Sequence, residues 1–284
     1  MSIMQRAVGQ LADKGYVLLK QHLPAEMLFQ LDVECQRLTT QASQILADID
    51  ASQLSYAAYY QQGLAKLIAV PEATNARQTC RFEYIAASSA FIAEQFVPFC
   101  QALLLELAGQ PMRLFKDKCN LKLPGGGAFE AHQDIPAYLD FGPNFHVTVA
   151  VFLDPATAQN GALEVAENGL SLTHPDNQWQ QVGKRPLPIL PTYQGGDNNG
   201  RIVAELEQQM DWTPVYTSPG DLLLFNSYLP HRSALNHSTQ TRRAFFFTFS
   251  LASAGDRYPL YYQSKRADFG HPRFHVATPT KHGQ

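Results

Sequence analysis

The stretch PGDLLLFNSYLPHRSALNHSTQTRRAFFFTFS, residues 219–250, has the clearest structural pattern in the chain. A Pro-Gly-Asp turn opens the β-forming run DLLLFNS, and His231 follows the end of that strand. After a polar connection, Arg242 leads into a second run, AFFFTFS, whose aromatic residues favour a strand. Similar short runs alternate with turns from residue 111 onward. We therefore predict an antiparallel barrel or double-sheet jelly roll with helices packed outside.

The part of the chain before residue 111 predicts a helical layer. Residues 24–49 and 88–109 carry apolar residues at helical spacing, whereas residues 50–80 have no clear period and resemble a loop or lid. We predict one domain over residues 1–284. Its expected parts are a helical layer (about 1–110), a β core (about 111–255) with an insertion (about 171–217), and a C-terminal tail (about 256–284), solvated over 271–284.

The composition limits the classes of function. The chain has 284 residues, a net charge of −3 and no cluster of lysine and arginine, which argues against general binding to nucleic acid or to an anionic membrane. No apolar stretch approaches the roughly 20 residues that span a bilayer, and the first residues lack the apolar segment of a signal peptide. We expect a cytoplasmic protein whose partner is a small molecule. The sequence does not indicate an oligomeric state.

A histidine and an aspartate two positions apart follow the glycine turn in LKLPGGGAFEAHQD, residues 121–134. In a closed antiparallel sheet, His132 and Asp134 can meet His231 at one mouth of the barrel, although they are distant in sequence. Two imidazoles and one carboxylate leave three adjacent coordination positions open, an arrangement that suits Fe(II) in oxygen-activating enzymes. A structural zinc site would instead be closed by four protein ligands, usually including thiolates.

An arginine follows the distal histidine on the next strand. Arg242 lies 242 − 231 = 11 residues after His231, across a turn. A guanidinium at that position can bind a carboxylate through two parallel hydrogen bonds. Arg243 is the alternative, because a shift of one residue in the strand register exchanges the two side chains.

The chain resembles the phytanoyl-CoA dioxygenase family of Fe(II)- and 2-oxoglutarate-dependent oxygenases. The resemblance rests on LKLPGGGAFEAHQD, NGALEV and PGDLLLFNSYLPHRSALNHSTQTRRA, and GYVLLKQHLPAEML is similar to the usual beginning of the family. It implies a mainly β fold with packed helices around a double-stranded β-helix (jelly roll, cupin-like) core. It also implies that His132, Asp134 and His231 bind Fe(II), with 2-oxoglutarate and O2 as co-substrates.

The resemblance also assigns residues to the co-substrate. Arg242 matches the arginine that binds the distal carboxylate of 2-oxoglutarate, and Ser233 matches a hydroxyl that assists there. Asn120 matches an asparagine near the co-substrate, and Thr148 is expected to form part of its wall. Asp134 supplies the carboxylate that the halogenases of the family lack, which implies hydroxylation. No catalytic residue is implied beyond the metal ligands.

Strand alternation in FKDKCNLK, residues 115–122, indicates an anionic substrate. The lysines at positions 116, 118 and 122 share one strand face with Asn120, so a cavity that faces Asn120 also faces lysine. A lysine on an inner wall is costly unless it pairs with an anion. We therefore predict that Lys118 and Lys122 contact the substrate. The alternative is that these lysines reach solvent at the rim.

The predicted activity is hydroxylation of a C–H bond in a small, polar, anionic metabolite, such as an amino acid, an organic acid or an aminophosphonate. Tyr138 and Asp140, in the aromatic segment AYLDFG, are predicted to contact this substrate. Three alternatives stay open. They are an acyl-CoA hydroxylase of the phytanoyl-CoA type, a non-catalytic binding module that retains the site, and a zinc-type hydrolase, for which the sequence offers no base near the metal.

Overall fold

The structure, a computed structural model, describes residues 3–72, 75–196, 198–271 and 274. Six α-helices lie in those ranges: α1 Ile3–Lys14, α2 Ala25–Ser52, α3 Tyr56–Gln61, α4 Val97–Ala108, α5 Ala204–Glu207 and α6 Tyr258–Ala267. None of the described helices combines the length and the apolar content needed to cross a bilayer.

Thirteen β-strands complete the described part of the chain. They are β1 Tyr16–Leu19, β2 Ile68–Glu72, β3 Asn75–Glu83, β4 Met112–Lys122, β5 Phe129–His132, β6 His146–Phe152, β7 Leu163–Ala166, β8 Gln178–Val182, β9 Arg185–Ile189, β10 Trp212–Val215, β11 Leu222–Asn226, β12 His231–Ser233 and β13 Arg242–Leu251.

Two sheets form the core of the molecule. The large sheet has seven strands in the order β1-β11-β6-β13-β4-β3-β2, and the small sheet has four in the order β10-β7-β12-β5. The strand pairs in both sheets are antiparallel. Strands β8 and β9 form a separate hairpin. The predicted mainly β jelly roll with packed helices is confirmed.

Side-chain alternation along β13 builds the two faces of the large sheet. Phe245, Phe247 and Phe249 point to one face and belong to the buried cluster that includes residues of α2 and α4. Ala244 and Phe246 point to the other face and pack with residues of β7 in the small sheet. The phenylalanines on the outer face of β13 therefore pack the helices against the large sheet. The residues on the inner face of the same strand face the space between the sheets.

The expectation of a loop or lid over residues 50–80 is wrong. Helix α2 extends to Ser52, α3 follows it, and β2 and β3 add an edge to the large sheet. The sequence pattern is weak there because residues 75–78 of β3 are exposed and the pairing of β2 with β3 is irregular around Pro71. Because β1 also joins the large sheet, the layer over residues 1–110 mixes helix and strand.

Two other segments differ from expectation. Within 171–217, β10 pairs with β7 and so belongs to the small sheet rather than to an insertion. The expected C-terminal tail contains α6, whose Tyr261 and Tyr262 are fully buried, and Phe274 is buried as well. Residues 272, 273 and 275–284, which include most of the expected solvated tail, lie outside the described residues. The division of the chain into one domain stays a prediction.

A buried carboxylate ties the C-terminal helix to the large sheet. Asp117 lies on β4 with its side chain on the face opposite the inter-sheet space, and it is fully buried. Its two oxygens accept hydrogen bonds from the backbone N–H groups of Ile85 (2.9 Å) and Ala86 (2.8 Å). They also accept from the hydroxyls of Tyr258 (2.8 Å) and Tyr262 (3.2 Å). One side chain therefore accepts hydrogen bonds from four buried or half-buried donors on two segments.

We predict that Asp117→Ala lowers the free energy of unfolding by at least about 3 kcal/mol, because each buried donor left without an acceptor costs on the order of 1–3 kcal/mol. Asp117→Asn keeps one carbonyl oxygen and should lose less. Urea denaturation followed by circular dichroism measures both. Asp13→Ala, at an exposed position of α1, is the control and should change the value by no more than about 0.5 kcal/mol. If Asp117→Ala behaves like that control, the carboxylate does not hold α6 in place.

Candidate metal centre and substrate cavity

The small sheet brings the two predicted histidine ligands together. His132 ends β5 and His231 begins β12, and the pairing of these strands sets the two residues opposite each other. Their ring centroids are 4.2 Å apart. Asp134 follows directly, at the start of the short 3-10 turn Ile135–Ala137. One ligand atom from each of these three residues lies within 4.8 Å of the others.

Backbone carbonyls fix the tautomer of both imidazoles. The Nδ1 atom of His132 lies 2.7 Å from the carbonyl oxygen of Glu130, and that of His231 lies 3.0 Å from the carbonyl oxygen of Leu229. A ring nitrogen that faces a carbonyl carries the proton and donates it. The Nε2 atom of each ring is then left unprotonated, with a lone pair for a metal.

The protonation states at this site also suit a metal. Burial lowers the pKa of His132 to about 3 and lowers that of His231 as well. Burial opposes ionisation of Asp134, but the neighbouring His231 and Lys118 outweigh it and hold the pKa of this carboxyl at about 2. Two neutral imidazoles and one carboxylate are the forms that a divalent cation requires. The donor set therefore fits Fe(II), with adjacent positions left for a bidentate co-substrate and oxygen.

A cavity between the two sheets opens onto these three residues. It is lined by Lys118, Asn120, Phe129, His132, Asp134, Tyr138, Thr148, Leu163, Phe225, His231, Arg232, Ser233, Arg242, Phe246 and Thr248. Of the residues predicted from the sequence, the structure brings the three ligands, Arg242, Ser233, Asn120, Thr148, Lys118 and Tyr138 to this cavity.

Two predicted substrate residues do not line the cavity. Asp140 is exposed on the turn after Tyr138 and is not one of the residues that line the cavity. Lys122 is buried at the end of β4, and its ammonium group donates to the Ser233 hydroxyl at 2.8 Å and to the Ala234 carbonyl. Lys122 is on the inner face of β4, as strand alternation predicts. It lies farther along the strand than the cavity-lining Lys118 and Asn120, and its ammonium group contacts Ser233 instead.

Other lining residues escaped the sequence analysis. Phe246 and Thr248 occupy the positions of β13 four and six residues after Arg242, so strand alternation from Arg242 already indicates their direction. The Thr248 hydroxyl lies 2.9 Å from that of Thr148 on β6. Arg232 is different, because its guanidinium bonds to Glu164 on β7 and no local pattern in the sequence indicates that contact.

Arg242 lies at one end of the cavity and is buried. One guanidinium nitrogen, Nη1, donates to the carbonyl of Gly161, whose φ of +68° and close approach to Ala234 leave no room for a side chain. The Nε atom is buried without a hydrogen-bond partner among the described residues. Burial and the charge of Arg242 lower the pKa of the adjacent Lys122 to about 7. Neither Arg242 nor Lys122 forms an ion pair with a carboxylate among the described residues, so this end of the cavity is suited to an anionic group of a co-substrate.

Arg243, the alternative to Arg242, points the other way. Its guanidinium forms ion pairs with Asp154 (2.8 Å) and Asp32 (2.6 Å), which lie on the side of the helices. Its backbone and side chain are thus engaged in holding α2 against the sheet. Strand register therefore presents Arg242, and not Arg243, to the cavity.

A jelly roll with a His–Asp–His group and a buried arginine at its inner face defines the class of non-haem iron oxygenases that use a 2-oxo acid. The sequence profile of the phytanoyl-CoA dioxygenase (PhyH) family matches residues 11–244. The chain belongs to that family, and it is a 2-oxoglutarate-dependent iron dioxygenase. The resemblance identified from the sequence is confirmed.

The chain is also similar to a named dioxygenase and a named hydroxylase. A 2-aminoethylphosphonate dioxygenase from uncultured bacterium HF130_AEPn_1 is 34% identical over 200 residues, which are 69% of this chain and 68% of the relative. A methylphosphonate hydroxylase from Gimesia maris is 37% identical over 193 residues, which are 66% of this chain and 65% of the relative. The chain thus spans about two thirds of the length of each.

Solved structures show the same fold at low sequence identity. EctD from S. alaskensis, solved with 2-oxoglutarate and 5-hydroxyectoine, has a TM-score of 0.64 at 19% identity, and the match covers 89% of this chain and 77% of that one. The α-ketoglutarate-dependent epimerase SnoN, solved with Fe3+, α-ketoglutarate and nogalamycin RO, has a TM-score of 0.61 at 18% identity, over 90% and 88% of the chains.

We predict that Asp134→Ala weakens Fe(II) binding by at least about 100-fold, since it removes the only anionic ligand of the proposed set. The metal-free variant should keep its melting temperature to within about 2 °C, the change that about 1 kcal/mol produces in a chain of this size. Anaerobic metal titration and thermal unfolding measure these values. Asp140→Ala, a carboxylate on the neighbouring turn outside the cavity, is the matched control. Equal iron affinity in the two variants would exclude Asp134 as a ligand.

We also predict that Arg242→Ala raises the KM for 2-oxoglutarate by roughly two to three orders of magnitude, because breaking a buried charge pair costs about 3–5 kcal/mol. Iron binding in the same variant should change little. Arg243→Ala serves as the control: it loses the ion pairs with Asp154 and Asp32 and should lower the melting temperature without affecting this KM. The opposite result for the two arginines would mean that Arg243 binds the co-substrate.

Proposed function

We propose that His132, Asp134 and His231 bind Fe(II) and that Arg242 binds the distal carboxylate of 2-oxoglutarate. The support is the geometry of the site: three ligand atoms lie within 4.8 Å of one another, and a buried guanidinium with an unpaired Nε lies at the end of the same cavity. Ser233 lines the same cavity and lies two residues after the proposed ligand His231.

The polar residues around Arg242 complete the proposed co-substrate site. Ser233 adds a hydroxyl to the cavity wall, and the ammonium group of Lys122, which lies outside the cavity beside Arg242, donates a hydrogen bond to that hydroxyl. The paired hydroxyls of Thr148 and Thr248 form another part of the cavity wall, six residues along β13 from Arg242. When bound together, iron, 2-oxoglutarate and oxygen supply the oxidising equivalent for a C–H bond. The contribution of the chain is to orient both organic molecules and to exclude water from a cavity enclosed by the two sheets.

We propose that the substrate is a small phosphonate and that the reaction is its hydroxylation. The observation that carries this proposal is Lys118, a cation in the cavity wall beside the metal ligands, whose ammonium group has no acceptor or carboxylate partner among the described residues. Small phosphorus oxyanions or phosphonates appear in the names of three relatives. These relatives are the two phosphonate enzymes above and a probable α-ketoglutarate-dependent hypophosphite dioxygenase from Stutzerimonas stutzeri, 23% identical over 242 residues (85% of this chain, 77% of the relative).

The alternatives have less support. An acyl-CoA ester needs a long apolar channel, whereas the wall of this cavity includes lysine, asparagine, threonine and arginine side chains. A non-catalytic module has no physical reason to retain three metal-binding side chains with an unpaired arginine. Localisation in the cytoplasm and the lack of a nucleic-acid or membrane partner stay predictions from the sequence.

We predict that 2-aminoethylphosphonate or methylphosphonate stimulates the conversion of 2-oxoglutarate to succinate in the presence of Fe(II) and oxygen. The carboxylate analogue 3-aminopropanoate should show a kcat/KM lower by about 10- to 100-fold, because it lacks charge-assisted hydrogen bonds worth about 1.5–3 kcal/mol. Coupled succinate detection and mass spectrometry of the substrate measure stimulation and oxygen insertion. Stimulation by acyl-CoA esters alone would reject a phosphonate substrate.

A further inference from the structure

Strands β3 and β4 carry a group of charged residues on the inner face of the large sheet, beyond the metal ligands. The register pairs Glu83 with Lys118 and Arg81 with Asn120. Directly paired residues share one face of a sheet, with side chains about 5 Å apart at their Cβ atoms. Lys118 and Asn120 line the cavity. Arg81 and Glu83 do not line the cavity themselves, but they lie beside Asn120 and Lys118 on the same face of the sheet.

Positive charge exceeds negative charge in this group. Glu83 is shared by Lys265, 2.7 Å away, and by Arg81, whose Nε lies 2.9 Å from the same carboxylate oxygen. Lys116 lies over the rings of two tyrosines, and Lys118 lies 5.3 Å from the centre of the Phe246 ring. Four cations thus face one carboxylate, apart from the proposed ligand Asp134. Like charges in a region of low dielectric constant repel strongly, and a bound dianion offsets that repulsion.

Several polar atoms in the same region are buried and unpaired. Arg81 is 4% exposed; its Nε faces the Glu83 carboxylate at 2.9 Å, and its Nη2 has no hydrogen-bond partner among the described residues. The Thr79 hydroxyl and the side-chain oxygen of Asn120 are also buried without a partner among the described residues. Buried polar groups in native proteins are satisfied by protein, water or ligand. A guanidinium with free donors beside an ammonium group matches the several oxygens of a tetrahedral oxyanion.

This group is separate from the proposed co-substrate end. Lys118 and Lys122 lie on the same face of β4 four residues apart, or about 13 Å at the rise of an extended strand. Lys122 stands beside Arg242, whereas the charge of Lys118 acts on His132 and on Asp134. An anion at Lys118 therefore lies next to the metal ligands, while the distal carboxylate of 2-oxoglutarate lies at the other end. Both anions can be bound at once.

We propose that Lys118 and Arg81 form the subsite that binds the phosphonate group of the substrate, with Glu83 and Lys265 holding the Arg81 guanidinium in position. This assignment rests on the phosphonate substrate proposed above. Glu83 and Lys265 do not touch the substrate in this arrangement; they act through Arg81 as positioning residues. The subsite explains why a cavity beside a metal retains a lysine that makes no hydrogen bond or ion pair with a described residue.

The test compares ligand affinities in the Fe(II)- and 2-oxoglutarate-loaded protein under anaerobic conditions, by calorimetric titration with 2-aminoethylphosphonate. We expect Lys118→Met to raise the Kd for this phosphonate by about 100-fold or more, while the Kd for 2-oxoglutarate changes less than about threefold. Arg81→Lys keeps the charge but loses the fork of donors, and should raise the phosphonate Kd by about 10-fold. Arg113→Met, at an exposed position of β4, is the matched control and should change neither Kd.

The melting temperature of the ligand-free protein separates binding from a structural role. Lys118→Met removes a cation that has no partner, so the ligand-free variant should melt at the wild-type temperature or above it. A structural lysine would instead lower the melting temperature on replacement. Phosphonate should raise the melting temperature of the wild type and of Arg113→Met but not that of Lys118→Met.

The outcomes distinguish this subsite from the proposed function. If the wild type hydroxylates the phosphonate and both Lys118→Met and Arg81→Lys bind it with wild-type affinity, the subsite is overturned and the function stands. Equal losses of phosphonate and 2-oxoglutarate affinity in Lys118→Met overturn it too, because they assign Lys118 to the co-substrate. If the wild type neither binds nor oxidises any phosphonate, the proposed function fails and the subsite fails with it.

Discussion

The pairing of β5 with β12 is the constraint on which the site depends. It sets His132 opposite His231 although 231 − 132 = 99 residues separate them in the chain. Asp134 then needs only the turn that follows β5 to complete the group. A shift of one residue in this register would turn one imidazole to the other face of the small sheet. The ligand geometry is therefore a property of strand pairing, and the Nδ1 hydrogen bonds to backbone carbonyls set the ring orientation within it.

The two faces of the large sheet have opposite effects on stability. On the outer face, Phe245 and Phe247 bury apolar surface against the helices and stabilise the fold. On the inner face, the half-buried Lys118 and the buried Lys122 and Arg242 have no ion pair among the described residues, and cations removed from water in this way destabilise it. Anionic ligands offset that cost when they bind. The same unpaired cations therefore destabilise the ligand-free protein and contribute to the free energy of ligand binding.

Much of the fold and of the candidate site could be predicted from local patterns. Alternating aromatic runs indicated the β core, and the spacing of His132 and Asp134 with a distant histidine indicated the metal site. Strand alternation predicted the face of β4 on which Lys122 lies, but not whether its position along the strand brings it to the cavity. Lys122 shares a face with Lys118 but lies outside the cavity, beside Arg242. The extra strands within residues 50–80 were missed because their exposed residues and irregular pairing leave no period in the sequence.

The sequence by itself determined the class of fold, the residues that can ligate a metal and the presence of an arginine on the strand after His231, because these follow from side-chain chemistry and from periods of two and 3.6 residues. The tertiary structure decided which side chains share a space. Only the register of β13 presents Arg242 rather than Arg243, and only the pairing of β3 with β4 places Arg81 beside Asn120 and Glu83 beside Lys118. Pairing between distant strands depends on the packing of the whole core, and no local stretch of sequence specifies it.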